Sequence, residues 1–188
     1  MGKTFAEKIL GASAGSIVFK KPDIILSHDN TASINATFVK MGGDNVADPD
    51  QLLIVLDHNA PPTNVKLAND YQKVRDIVEK QGIRKFHDVG KGICHQVVSY
   101  YARPNQIIVG SDSHTCTAGA FNAFAAGIDR TETAGLWKQG ETWFRVPDSV
   151  KITLHGKLNA GVYAKDLALW IIGMIGSGGA KNRQIGGN

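Results

Sequence analysis

Cysteine is nearly missing from this chain: its 188 residues contain two, Cys94 and Cys116. They have no metal-site spacing, and the plain expectation is a pair of reduced, buried thiols. Long apolar runs are missing as well. None approaches the roughly 20 residues needed to cross a bilayer, so no membrane association is expected. The opening stretch Met1–Lys8 lacks the apolar centre of a secretion signal, and the chain reads as cytoplasmic. Blocks of like charge are absent too. Lys and Arg total 21 against 17 acidic residues, for a net charge of +4. The basic residues are scattered, and the densest groups are the pairs Lys20-Lys21 and Arg84-Lys85. Without a basic run interleaved with aromatics, nucleic acid is a poor partner. No low-complexity tract and no internal repeat occurs.

What is present is an ordinary globular composition, 43% hydrophobic and 20% charged, with a recurring order of short apolar strand, polar pair, then helix or loop. Residues Thr4–Ala12 read as a short helix. Ile24–Leu26 reads as a buried strand, with Asp29 and Thr31 as N-caps for a helix over Ser33–Lys40. Leu52–Leu56 is apolar without alternation, as a strand covered on both faces should be. Leu67, Tyr71, Val74, Ile77 and Val78 hold the 3–4 spacing of an amphipathic helix closed by Gly82. Ile83–Val89 gives a further strand, Ile93–Val98 a helix start, and Ile107–Val109 another strand. The small-residue run Gly119–Gly127 suits a tightly packed helix, and Thr131–Gln139 another. Val150–Leu154 alternates like an edge strand. Tyr163–Ile175 is a last helix, expected to pack Leu167, Trp170, Ile171 and Met174. Alternating strands and helices argue for an α/β fold, three layers deep, with a mostly parallel sheet. One domain is expected over 1–180, with a flexible tail over 181–188.

Chemistry concentrates at strand ends. Three strands run into an acid–imidazole pair: His28-Asp29, Asp57-His58 and Asp112-Ser113-His114. His95 follows a Gly-rich turn. Parallel strands place their carboxyl ends on one edge, where ligands of open α/β sheets bind. If these strands are neighbours, the pairs converge. A carboxylate beside an imidazole fixes its tautomer and raises its proton affinity, which makes a general acid near neutral pH. A single such dipeptide is usually a turn residue with an N-cap; several in one sheet are harder to explain so. His87 and His155 lack the pattern and read as surface residues.

The stretch Gly110-Ser111-Asp112-Ser113-His114-Thr115, followed by Gly119-Ala120-Phe121, resembles the signature of the aconitase superfamily. Val55-Leu56-Asp57-His58, Gly92-Ile93-Cys94-His95-Gln96 and Trp143-Phe144-Arg145-Val146-Pro147 agree with it, in order. The opening Gly2–Leu10 is similar to the start of large subunits of the 3-isopropylmalate dehydratase type. The resemblance implies the first domain of the aconitase fold and a hydro-lyase acting on a hydroxy di- or tricarboxylic acid. It implies a 4Fe–4S cluster in the complete enzyme and a small subunit carrying a swivelling domain. By position, Asp57 and His58 match the pair that delivers a proton to the departing hydroxide. His95, Asp112, Ser113 and His114 match residues around the iron-bound water and substrate. Asp29 and Ser33 fall in a substrate-contacting segment.

Departures from the pattern are expected to matter. The family's cluster thiolates lie in the second half of the large subunit, and Cys94 and Cys116 match none of them. No metal ligand and no bound cluster are therefore expected of this chain alone, which should be inactive without the missing half. Lys181–Asn188 departs from the family's continuation. Asp129 stands where Gly is common, which threatens an unfavourable backbone angle. Two other readings stay open: a non-catalytic remnant or interaction module of the same fold, and a mononuclear metal hydrolase using the His/Asp cluster.

Overall fold

The computed structural model describes residues 2–187. It divides into two compact units, one from Phe19–Trp143 and the other from the segments before and after it. The elements in chain order are α1 (Phe5–Leu10), β1 (Ile17–Lys20), β2 (Ile24–Ser27), α2 (Thr31–Lys40), β3 (Leu52–Val55), α3 (Val65–Gln81), β4 (Lys85–His87), α4 (Cys94–Val97), β5 (Ile107–Gly110), β6 (Phe124–Gly127), α5 (Arg130–Gln139), β7 (Thr142–Arg145), β8 (Asp148–Ile152), α6 (Ala164–Ile175) and β9 (Arg183–Gly187). Strands β1 and β7 form a two-stranded sheet.

The larger unit is a five-stranded sheet in the order β4-β3-β2-β5-β6, parallel throughout and flanked by helices. This is the expected α/β fold. Register pairs Leu26 with Leu53 and with Gly110. One sheet face sends Ile24, Leu26, Leu53, Val55 and Ile108 into a core shared with Cys94, Val97 and Val98 near α4. The alternate residues Ile25, Leu52, Ile54 and Val109 are buried as well, so the central strands are covered on both faces, as their unbroken apolar runs require. Helix α3 starts under an Asn64 cap and stops at Gly82, whose φ of 65° is left-handed. It buries Tyr71, Val74 and Ile77, the stripe that the spacing marks.

The run Gly119–Gly127 is not a helix. A 3-10 segment covers Ser113–Phe121, Asn122 turns the chain at a φ of 59°, and β6 follows. Small residues serve a close strand here. A Cβ on Gly127 would lie 2.7 Å from the Asp112 carbonyl oxygen, so only glycine lets β6 pass the Asp112 turn. Helix α2 is capped by neither Asp29 nor Thr31. Asn30 occupies the N-cap without a side-chain bond, and Thr31 bonds Ser27 and the His28 carbonyl instead. Asp129 has an ordinary φ of −79° and caps α5, accepting from Thr131 and Glu132. The substitution therefore adds a helix cap rather than strain.

In the smaller unit, α1 opens with a capping box of Thr4 and Glu7 and buries Ala6 and Leu10. Strand β8 pairs in parallel with β9, so a strand stands within the stretch 181–188 expected as tail; residue 188 lies outside the described residues. Helix α6 forms where expected but buries none of its residues. Trp170 is 61% and Met174 64% exposed. Apolar periodicity fixed the helix without fixing what covers it.

Candidate active site

The site begins with chain order. From β2 the chain moves to β3 and then β4 on one side, then returns to lay β5 and β6 on the other. This reversal opens a crevice beyond the carboxyl ends of β2 and β5, where open α/β sheets bind ligands. His28-Asp29 follows β2, Asp57-His58 follows β3, and Asp112 follows β5. The three acid–imidazole segments therefore leave adjacent parallel strands. Asn30 ties two of them together: its Nδ2 donates to the Ser111 carbonyl at 3.0 Å and its Oδ1 accepts from the Ser111 hydroxyl at 3.0 Å.

Two carboxylates organise the cluster. Asp57 Oδ1 sits 2.7 Å from His58 Nδ1, and its Oδ2 accepts the Cys94 N–H at 2.6 Å. One acid thus orients His58 and seats the first residue of α4, next to His95. Asp112 lies between three imidazoles. Its Oδ1 is 3.0 Å from His95 Nε2 and 3.2 Å from His114 Nδ1, and its Oδ2 is 3.8 Å from His58 Nε2. It also accepts the His114 N–H at 2.7 Å. His28 stacks on His58 with ring centroids 3.9 Å apart. His28 Nδ1 and His95 Nδ1 are buried without a hydrogen-bond partner among the described residues.

The electrostatics separate the two stacked rings. Burial drives the His28 pKa below its ordinary value, and the neighbouring His58 adds to this against the charges of Asp57, Asp29 and Asp112. Burial also pulls His58 down, but the Asp57 hydrogen bond and the charges of Asp57, Asp112 and Asp29 outweigh it, and His58 is held above its ordinary value. Burial opposes ionisation of Asp112, yet the His114 N–H and the facing His95 and His114 hold it below the usual carboxylate range. Asp29 is likewise held low against burial, by the Tyr71 hydroxyl and the Asn59 and Asp57 donors.

These directions predict the acid limb of stability. A carboxyl group with a depressed native pKa stabilises the fold above its unfolded value of about 3.9 and loses that contribution as pH falls through the native value. Stability measured by urea unfolding is expected to fall steeply below about pH 4, and Asp29→Asn should flatten that slope. An unchanged slope would contradict the assignment.

Seven of the residues marked in the sequence are brought together: His28, Asp29, Asp57, His58, His95, Asp112 and His114. Ser113 is exposed beside them, its Oγ 3.5 Å from His114 Nδ1, too far for a firm bond. Ser33 lies on the exposed side of α2, where Arg130 approaches its hydroxyl at 3.4 Å; its N–H donates to the Asn30 carbonyl within the first turn of the helix, and no hydrogen bond among the described residues joins its hydroxyl to the cluster. Asn59, Tyr71 and the Asn30–Ser111 pair are additional members. Tyr71 carried a signal, since a hydroxyl on an otherwise apolar helical stripe needs a buried partner.

Metal-binding capacity among the described residues rests mainly on imidazoles and carboxylates, with the Cys94 thiol beside Asp57 and His58. His28, His58 and Asp112 offer ligand atoms within 4.8 Å of one another, as do His95, Asp112 and His114. A divalent ion could be held by either set. Cys94 is buried and Cys116 exposed, which corrects the expectation of two buried thiols: Cys116 rides on the outer side of the 3-10 segment. Burial, and then the charge of Asp57, push the Cys94 thiol up, away from the thiolate. Two such cysteines do not fit an iron–sulfur cluster, whose irons are held by several thiolates.

Comparison with known proteins shows the family. The profile of the Aconitase family (aconitate hydratase) matches residues 3–186. The chain is 44% identical over 194 residues to the 3-isopropylmalate dehydratase large subunit 1 of Methanopyrus kandleri, covering 98% of this chain and 46% of that protein. It is 40% identical over 195 residues to the 3-isopropylmalate dehydratase large subunit of Aquifex aeolicus, with 98% and 45% covered. It is 39% identical over 189 residues to the methanogen homoaconitase large subunit of Methanocaldococcus jannaschii, with 97% and 45% covered. The chain therefore spans somewhat under half the length of these relatives, whose matched portions carry it almost end to end. With the profile running over nearly every residue and the acid–imidazole segments converging at the sheet's switch point, the chain belongs to the aconitase family.

Proposed function

We propose that this chain is the proton-handling portion of a hydro-lyase large subunit of the 3-isopropylmalate dehydratase or homoaconitase type, a cytoplasmic enzyme acting on a hydroxy di- or tricarboxylic acid. The observation that carries the reading is the Asp57–His58 pair facing Asp112 across the switch-point crevice, at 2.7 and 3.8 Å. Dehydration removes a hydroxyl from one carbon and a proton from its neighbour. Hydroxide is a poor leaving group and must be protonated as it departs. His58 has its Nδ1 bound to Asp57 and a side chain 36% exposed, which leaves Nε2 as the atom that delivers the proton. After delivery the ring keeps its Nδ1–H toward Asp57, and in the hydration direction the same Nε2 takes a proton from water. Asp112, with His95 and His114, positions the hydroxyl and the water formed from it. Asp29 and Ser33 belong to the segment assigned to the substrate by the family's pattern.

The complete enzyme of this family carries an iron–sulfur cluster that supplies the electrophile for the hydroxyl. Two cysteines in this chain do not fit such a cluster, so its ligands come from the remaining half of a large subunit. The small subunit supplies the base that removes the carbon-bound proton. The chain alone is inactive on this account.

A three-component assay tests the proposal. The chain is mixed with the C-terminal half of a relative's large subunit and that relative's small subunit, and hydration of the unsaturated acid is followed by loss of its ultraviolet absorbance. Turnover is expected from the full mixture and none from the chain alone. Turnover by the chain alone would overturn the reading. So would an inert mixture when the same two components are active with the relative's own N-terminal half; that outcome favours a non-catalytic remnant. The His28, His58 and Asp112 set supports a second reading, a mononuclear metal hydrolase. One tightly held zinc or manganese ion per purified chain would favour it.

A further inference from the structure

We propose that Tyr71 and Asp29 form a brace that positions the Asp57–His58 pair, so that Asp29 is a positioning residue rather than a substrate contact. Its importance for turnover rests on the hydro-lyase reading; its geometry does not. Asp29 Oδ1 accepts the Asp57 N–H at 3.0 Å. Its Oδ2 accepts the Asn59 N–H at 2.7 Å, the Asn59 side-chain amide at 3.0 Å and the Tyr71 hydroxyl at 2.7 Å. A carboxylate offers about two acceptor positions on each oxygen; three donors crowd Oδ2 and one takes Oδ1. Oδ2 is thereby filled, one position on Oδ1 is left, and a substrate carboxylate would meet a like charge.

The donors also explain what the carboxylate does. His58 sits between Asp57 and Asn59, and both flanking N–H groups end on Asp29. The turn that carries His58 is clamped at its two ends. The clamp is anchored in turn by Tyr71, 1% exposed on the 17-residue helix α3, a rigid support of the kind a precise site needs. His28, the residue before Asp29, stacks on the His58 ring. One dipeptide thereby holds both the backbone and the ring of His58. The charged and titratable groups facing that ring are Asp57, Asp112, Asp29 and His28.

The test reads His58 itself and needs no substrate. Ring-nitrogen NMR spectra are recorded on the full chain, on Tyr71→Phe and on Asp29→Asn. In the wild type, His58 should keep its proton on Nδ1 when it becomes neutral. Both variants should show the Nε2–H tautomer rising several-fold, with the titration midpoint of His58 falling. Thr133→Val is the control, since Thr133 is buried and its hydroxyl bonds the Asp129 carbonyl on α5. It should cost similar stability and leave His58 unchanged. A folded Tyr71→Phe with the wild-type His58 spectrum overturns the brace, whatever the three-component assay gives. Should Tyr71→Phe fail to fold, Asp29→Asn, which keeps the side-chain shape, decides by the same readout.

Discussion

Replacing His58 by Gln is expected to lower the kcat of the assembled three-component enzyme about 100-fold or more, the usual range for losing a general acid, with KM nearly unchanged. Gln keeps a donor for Asp57 but has no proton to give. An effect confined to kcat would mean that His58 acts on the transition state rather than on substrate binding. The pH profile provides the second readout. His58 is held above its ordinary pKa by Asp57, Asp112 and Asp29 against the pull of burial, so wild-type kcat in the dehydration direction should decline on the alkaline side as this ring loses its proton. That limb should vanish in His58→Gln. A variant with wild-type kcat, or one in which only KM rises, would remove His58 from the role assigned to it.

Gly110→Ala is expected to be among the most damaging single-methyl changes in the chain. A Cβ there would lie 2.5 Å from Thr115 Oγ1 and 3.0 Å from both the Cβ and the carbonyl oxygen of Leu26. The Leu26 backbone belongs to the adjacent β2 and cannot move without disturbing the sheet. Thr115 is 1% exposed and its hydroxyl donates to the Asp112 carbonyl at 2.7 Å. The methyl therefore overpacks the strand and strands a buried hydroxyl. Overpacking and a lost buried hydrogen bond each cost about 1–3 kcal/mol, so a loss of about 3 kcal/mol is expected, a fall of roughly 6–12 °C in thermal midpoint for a chain of this size. Gly135→Ala is the contrast. It lies within α5 with nothing inside 4 Å of its would-be Cβ, and alanine should leave stability equal or raise it by up to about 1 kcal/mol. Equal midpoints for the two variants would show that the Asp112 turn tolerates displacement.

The site was more legible than its supports. Asp57-His58 and Asp112-Ser113-His114 stand out because each directly follows a short apolar strand, and parallel strands must deliver their ends to one edge. The pairing of those ends needed only the strands to be neighbours, which they are. Asp29 was misjudged as a helix cap, because local sequence shows the residues beside it and not the Asn59 and Tyr71 donors that converge on it from the loop after β3 and from α3. The run Gly119–Gly127 misled for a related reason. Small residues pack helices closely, but they equally let a strand pass a turn, and the turn at Asp112 decided the matter. Cys116 and α6 failed together. Apolar character states a preference for burial without providing a partner, and Trp170 and Met174 remain exposed in a chain that spans 45–46% of the relatives it matches.

The proposed chemistry depends on one imidazole, held by a carboxylate so that it keeps its proton more readily than a free ring. The NMR titration of His58 in the full chain measures this directly. A midpoint above the ordinary value of about 6.5 is expected, falling to or below that value in Asp57→Asn. A wild-type midpoint at or below it, or one that Asp57→Asn leaves in place, would contradict the role proposed for the pair.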